Sequence, residues 1–514
     1  MRKSFDTEAL AVIGVLAFTA TYAASFGFVT PDSWNYVRLA QSSIQGDFCQ
    51  VNGSYFAVFP CGYPIILAIS SFSTNASTII IISKFVNAVL LFLSFIFFRK
   101  FFSSLPTLGV FVILSPLTLF VARFTWSENL FIFATALTLL QLKKLASETN
   151  FSNIAILQLA LIIGISSRYF FAPFAFLIWL SVLIVYGRRV AFRTFPVFLL
   201  SGFLFLGYYS LNERITGFAT GTKRIESPET TLFLVAKFVQ QLILRQIPVF
   251  ALVLLVFCAI SRTKISLRIP GRSYAQERPE LLLTLLVGLA FLALAFSLRL
   301  VTQYDIYDVR TLGFGVTLIV VSVFGFVVTS LRAKKFSFIV LFVTAVLSLS
   351  LVARNDIQSV ITSLLQGNYS FVSVQNQIEG YKSESLPVDV DAVVAIAVPQ
   401  VGAKFASNAE YFYGNELRVI QPAAGPVELP ESLGEFIQRV DSVSGKCIID
   451  FRMFPTKQSL LERLESTFAV DVKFDIQSWE FVTVRRRSFD PQLAKSFVEV
   501  FRPGGTVDCT QLRG

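Results

Sequence analysis

The chain has 514 residues, 54% hydrophobic and 15% charged, with 55 phenylalanines, no histidine and a net charge of +11. This composition excludes a wholly soluble protein, and the missing histidines exclude His-based acid–base catalysis and the commonest zinc and iron sites. The positive charge does not point to nucleic acid, because the Lys and Arg cluster in short breaks between apolar runs rather than on a face interleaved with aromatics.

In chain order, eleven apolar runs read as membrane-spanning helices: 10–28, 77–98, 106–122, 129–142, 154–171, 173–186, 195–211, 247–260, 281–298, 312–331 and 336–352. Several approach the roughly 20 residues that cross about 30 Å of hydrocarbon, and the fourth to sixth are short. Met1-Arg2-Lys3 leads into the first run without a clear small-residue cleavage site, so that run is expected to stay as a helix. Alternate breaks are basic: Arg2/Lys3, Arg99/Lys100, Lys143/Lys144, Arg188/Arg189/Arg193, the stretch 262–278, and Arg332/Lys334/Lys335. The positive-inside rule puts these, and the N-terminus, in the cytoplasm. The first outer loop, 30–76, the loop 212–245, the turn 304–310 and everything after Arg354 then lie outside.

The expected fold is mainly α: a polytopic helical bundle, 1–354, joined by a linker, 355–387, to a small extracytoplasmic α/β domain, 388–514. In that tail 388–398, 417–420, 446–451 and 481–484 read as strands, and 403–411, 431–440 and 457–466 as helices. It carries no phosphate loop, nucleophile elbow or metal-ligand cluster, which favours binding or positioning over chemistry. Cys49 and Cys61 share the first outer loop and Cys447 and Cys509 share the tail, while Cys258 sits in a predicted span. Two even pairs in oxidising space read as disulfide candidates, with free thiols as the alternative.

In the first outer loop, Pro31 suits the first turn of a helix and Asp32 its positive end, with Tyr36 one turn later. A helix cap followed by an interfacial helix, with Trp34 and Tyr36 as belt residues, accounts for the same pattern. The loop continues to Phe59-Pro60-Cys61-Gly62-Tyr63-Pro64, a rigid turn opening a short apolar helix.

Asp32, Tyr36, Ala40, Gly46 and the FPCGYP element together resemble the glycosyltransferase-C superfamily, in the style of the bacterial aminoarabinose transferase and protein O-mannosyltransferase group. The resemblance extends more weakly to Ser127-Glu128, to Arg168 and to the turn before the tenth run. It implies a membrane glycosyltransferase that moves a sugar from a polyprenyl-phosphate donor to an acceptor hydroxyl of a glycan, lipid or protein on the outer face of a bacterial inner membrane. Many relatives carry adjacent acids in this loop, whereas Asp32 is flanked by Pro31 and Ser33, so the metal-independent branch fits better and no catalytic metal or other cofactor is expected.

Inverting transfer needs one carboxylate to take the acceptor proton, and Asp32 is the candidate. The leaving phosphate needs cations, for which Arg38, Lys84, Arg168 and Arg310 are the candidates, with Arg123 and Arg299 as further possibilities. Lys84 and Arg168 are the sharpest, since an ionisable side chain deep in a helix costs about 2.5–3.5 kcal/mol on insertion scales; snorkelling to the interface is the alternative for both. Tyr36, Tyr63, Glu128, Tyr304, Tyr307 and Asp308 are candidates for holding sugar or acceptor. For Glu128 the competing role is a helix start capped by Ser127, for Tyr63 an architectural one, and for the 303–310 turn an aromatic belt with a local Asp308–Arg310 pair. A transporter or flippase would show internal repeats with broken helices in two halves, and none is visible. A non-catalytic assembly scaffold would tolerate Asp32→Ala.

Overall fold

The structure is a computed structural model that describes residues 2–26, 28, 30–51, 54–221, 230–246, 278–302 and 307–330, and the strands 393–397, 417–420, 447–451, 479–486 and 496–503. Six described helices are long and apolar enough to cross a membrane, and the chain is an integral membrane protein.

Helix α1 (Arg2–Phe26) leads to α2 (Pro31–Gln45), whose first turn is capped by Thr30 accepting from the Ser33 amide, and which stops at Gly46 with φ 95°. A two-stranded ribbon, β1 (Gln50–Val51) and β2 (Ser54–Tyr55), precedes α3 (Gly62–Ser71) and the long α4 (Ala76–Phe101). Asn75 caps α4 by accepting from the Thr78 amide.

The predicted third span, 106–122, is two short helices, α5 (Leu108–Ile113) and α6 (Pro116–Ala122). Pro116 has no N–H to give and disfavours helical backbone at the residue before it. Ser115 accordingly adopts ψ 147° and caps α6 through the Thr118 amide. The following helices are α7 (Glu128–Ser147), α8 (Phe151–Ser167), α9 (Phe171–Tyr186), α10 (Arg188–Thr216) and α11 (Thr231–Gln240), which continues as a π-helical turn, Gln241–Gln246. Then come α12 (Pro279–Val301) and α13 (Val309–Ser330). The predicted spans 247–260 and 336–352 lie outside the described residues.

Helices α12 and α13 approach closely, because a Cβ on Gly288 would stand 2.8 Å from the Gly315 carbonyl oxygen. Small residues of this kind are what let helix backbones meet in a bilayer. Phe131 of α7 sits at the centre of an aromatic cluster, with ring centroids 5.2 Å from Phe171, 5.5 Å from Phe174, 5.8 Å from Phe291 and 5.9 Å from Phe314.

Several basic breaks gather at one end of the bundle. Arg99 pairs with Glu8, which also accepts from Thr107 at 2.9 Å; Lys143 donates to the Phe101 carbonyl at 2.5 Å; and Ser104 donates to Glu280. The ends of α1 and α6 and the starts of α2, α7 and α13 meet at the opposite end, as the polar contacts below show.

In the tail, β3 (Val393–Ala397), β4 (Leu417–Ile420), β5 (Cys447–Phe451), β6 (Trp479–Arg486) and β7 (Ser496–Pro503) form one sheet in the order β4-β3-β5-β7-β6. Strand β3 is parallel to β4 and β5, and β7 is antiparallel to β5 and β6. Strand β7 is additional to the sequence expectation. The predicted linker, the three tail helices, Cys258 and Cys509 lie outside the described residues. Cys447 opens β5. Cys49 and Cys61 are joined by a disulfide.

Candidate active site

The site begins with the placement of α2. Thr30 caps the helix at 3.2 Å from the Ser33 amide, and the same hydroxyl oxygen accepts from the Trp126 indole N–H at 2.8 Å. Asp32 falls in the first turn, its side chain 21% exposed. One turn on, Tyr36 is buried and shares a 2.8 Å hydrogen bond with the Ser127 hydroxyl. Its ring meets Phe59 at 5.1 Å and the edge of Tyr63 at 5.3 Å, and Tyr63 donates to Asn87 Oδ1 at 2.8 Å. Burial pushes the Tyr36 phenol well above the usual tyrosine range, with nearby Glu128 adding to the effect. Tyr36 is therefore a neutral hydrogen-bonding group, not a base.

The turn between α6 and α7 is the second component. Asn87 donates to the carbonyls of Phe124 at 2.8 Å and Ala122 at 3.2 Å; Lys84 donates to Thr125 Oγ1 at 3.0 Å and the Phe28 carbonyl at 3.4 Å; Ser83 shares a 2.8 Å bond with Thr125. Lys84 is 1% exposed. The structure places it behind this turn, tying α4 to it, and neither snorkelling nor lining the cleft described below. Arg123 lies over Phe28 at 4.7 Å and Phe120 at 5.2 Å. Ser127 makes no side-chain cap on α7: its backbone is already helical, φ −74°, ψ −6°, and its hydroxyl bonds Tyr36.

Arg168 ends α8 in extended backbone, φ −153°, ψ 139°. Around it the first outer loop is pinned in place. Tyr169 donates to the Ala57 carbonyl at 2.7 Å, Asn212 donates to the Tyr169 hydroxyl at 2.9 Å, and Tyr55 donates to Asn212 at 2.8 Å. Gly62 has no alternative in this packing, since a Cβ there would stand 2.4 Å from Ser166 Oγ.

These elements bring two acids and two guanidinium groups together. Arg310, in the first turn of α13, donates from Nη1 to Asp32 Oδ2 at 2.5 Å and from Nε to Glu128 Oε1. Arg168 donates from Nη1 to the same Glu128 oxygen. The Arg310 guanidinium carbon lies 4.3 Å from the Trp126 ring centroid. Below the cluster opens a narrow cleft between α6, α7, α9, α12 and α13. Glu128, Arg168, Arg310, Thr311 and Thr118 line its polar part; Leu117, Val121, Phe131, Ile132, Phe170, Phe291, Val309 and Phe314 line the rest. The Glu128 side chain is 8% exposed, and its Oε2 is buried with no hydrogen-bond partner among the described residues. A buried carboxylate oxygen in that state calls for a donor from a ligand or from water.

Other candidates sit elsewhere. Asp308 caps α13 by accepting from the Thr311 amide at 2.9 Å. Tyr307 packs against Phe296 at 6.2 Å and Phe238 at 5.4 Å. Arg38 and Arg299 are buried on α2 and α12 and do not line the cleft. Tyr304 lies outside the described residues. Trp126 carried no signal in the sequence beyond being an aromatic beside Ser127-Glu128.

No family model matches the chain, and no curated protein matches it in sequence. Among solved structures it is similar to ArnT from Cupriavidus metallidurans in the apo state, at 12% identity over 96% of this chain and 98% of that one, with a TM-score of 0.54. The chain shares the fold of ArnT. The same ArnT bound to undecaprenyl phosphate is also matched, at 11% identity over 95% and 97% of the two chains, with a TM-score of 0.49. At such identity a shared glycosyltransferase-C fold fixes the course of the helices, and what the site does must be argued from its own residues.

Proposed function

We propose that this protein is a membrane glycosyltransferase that moves a sugar from a polyprenyl-phosphate donor to an acceptor hydroxyl of a glycan, lipid or protein, on the extracytoplasmic face. The observation that carries the reading is Arg310 joining Asp32 to the Glu128–Arg168 pair at the polar end of an apolar cleft. An amphiphile with an anionic head on an apolar chain matches that polarity: guanidinium groups for the phosphate, phenylalanines for the first isoprene units. The glycosyltransferase-C fold agrees with it.

In the proposed reaction the acceptor oxygen attacks the anomeric carbon from the face opposite the phosphate, so configuration inverts. The acceptor proton passes to the Asp32 carboxylate, the more exposed of the two acids. The bond from the anomeric carbon to the phosphate oxygen breaks, its electron pair leaves with the polyprenyl phosphate, and Arg168 and Arg310 stabilise that charge. Glu128 holds both guanidiniums and offers Oε2 to a sugar hydroxyl. The reading assigns charge stabilisation to the arginines and calls for no metal. It puts the bundle in a bacterial inner membrane and the tail domain outside, in a binding or positioning role.

The test is to incubate the purified protein in nanodiscs with short-chain polyprenyl-phosphate pentoses and hexoses and a cell-envelope extract, measuring released polyprenyl phosphate and glycosylated product. Release and product that persist in EDTA are expected. Absence of release from every donor, at protein concentrations where folding is verified, rejects the reading.

A further inference from the structure

Trp126 is 6% exposed, and two of its contacts lead to the charged cluster. Its ring stacks on Phe124 with centroids 4.2 Å apart at 18°. It carries the Arg310 guanidinium at 4.3 Å from its centroid. Its indole N–H donates at 2.8 Å to Thr30 Oγ1, the cap of the helix that carries Asp32. The ring itself is held from behind, since the Asn87 amide grips the Phe124 carbonyl at 2.8 Å.

We propose that Trp126 is a positioning residue for sugar transfer: its ring face seats Arg310, and its N–H braces the cap of α2, so that one side chain fixes the guanidinium and the Asp32 carboxylate relative to each other. This rests on the transferase reading above. The physical basis is geometric. With Arg310 Cζ seated over the indole face at 4.3 Å, its Nη1 and Nε stay turned toward the two carboxylates. Arg310 needs that orientation to reach Asp32 through Nη1 and Glu128 through Nε at once. Misplacing a reacting group by about 1 Å costs on the order of 100-fold in rate, so the ring governs turnover without touching substrate.

The experiment is a double-mutant cycle on the full chain in nanodiscs, with the donor panel and extract described above. Trp126→Leu and Arg310→Lys are each expected to lower kcat about 100-fold, and the double variant to fall no more than about threefold below the worse single, because the ring acts through the arginine. Trp126→Phe, which keeps a ring face but loses the bond to Thr30, is expected to lose about tenfold in kcat while its thermal midpoint stays near that of the wild type. Losses that multiply in the double variant, or a Leu variant within about threefold of wild type, overturn the proposal. If Trp126→Leu does not fold, the Phe variant decides: full activity overturns the positioning role. Inactive wild type rejects the transferase reading and this proposal with it, whereas active wild type with indifferent Trp126 variants rejects this proposal alone.

Discussion

Asp32 and Arg310 are 278 positions apart in the chain and 2.5 Å apart in space. Helix α2 follows the first membrane helix and α13 is the last described helix, so the contact joins the two ends of the described bundle. Neither residue reaches the other by local geometry. Each is delivered by a helix start, with Thr30 capping α2 and Asp308 capping α13.

Asp32→Asn keeps size and shape but removes the basic site. Transfer is expected to fall about 100- to 10,000-fold, the usual contribution of a general base. Retention of polyprenyl phosphate, measured by co-purified lipid, should be unchanged or increased, because Arg310 loses a competing carboxylate.

Arg310→Lys exchanges a planar fork for a point charge. A single ammonium cannot hold Asp32 and Glu128 in the two-point geometry observed. In donor titrations the KM for the lipid phosphate is expected to rise by about tenfold or more, while Arg38→Lys, at a position outside the cleft, leaves it within about threefold.

Glu128→Ala leaves Arg168 and Arg310 facing each other with no carboxylate between them. Stripping one partner from a buried charge cluster typically costs about 3–5 kcal/mol. A drop of several degrees in the thermal midpoint of the detergent-purified protein is expected, larger than for Asp32→Ala, whose side chain is more exposed.

Tyr36→Phe removes the bond to Ser127 and about 1 kcal/mol of stability. Because burial raises the phenol, Tyr36 stays protonated at pH 6 and at pH 9 alike. The ratio of variant to wild-type rate should therefore be the same at both values. A ratio that changes across that interval would mean the phenol titrates during turnover.

Peptide mapping without reduction is expected to recover Cys49 linked to Cys61. Removing the bridge with Cys61→Ser should cost about 2–4 kcal/mol, the typical range for a disulfide, and make the first outer loop more sensitive to protease.

The bundle and the motif-bearing parts of the site were legible in the sequence. Long apolar runs separated by basic breaks are a direct statement of membrane physics, and Asp32, Tyr36, Glu128 and Arg168 stood out by motif or by the cost of charge in an apolar helix. What stayed hidden depended on distant partners. Lys84 carried the same insertion-cost signal as Arg168, yet its partner is Thr125, across to another element. Tyr307 sat in a turn rich in Tyr and Asp, and only the packing of Phe238 and Phe296 around it gives it a place. Trp126 carries no signal of its own, because no spacing rule links it to Thr30 or to Arg310. The break at Ser115-Pro116 was readable from proline alone, and the run of apolar residues on both sides concealed it.

Tyr36 bolts one side of α2 to Ser127, and Asp32 rides a single turn away on the same cylinder. Angular phase thus decides where the acid points. Adding or deleting one residue between positions 32 and 36 would swing the acid around the helix axis by about 100°, pointing it away from Arg310 with every side chain still present. Ser33, buried and bonded to the Thr30 cap at 3.0 Å, sits inside that four-residue interval, whose length cannot change.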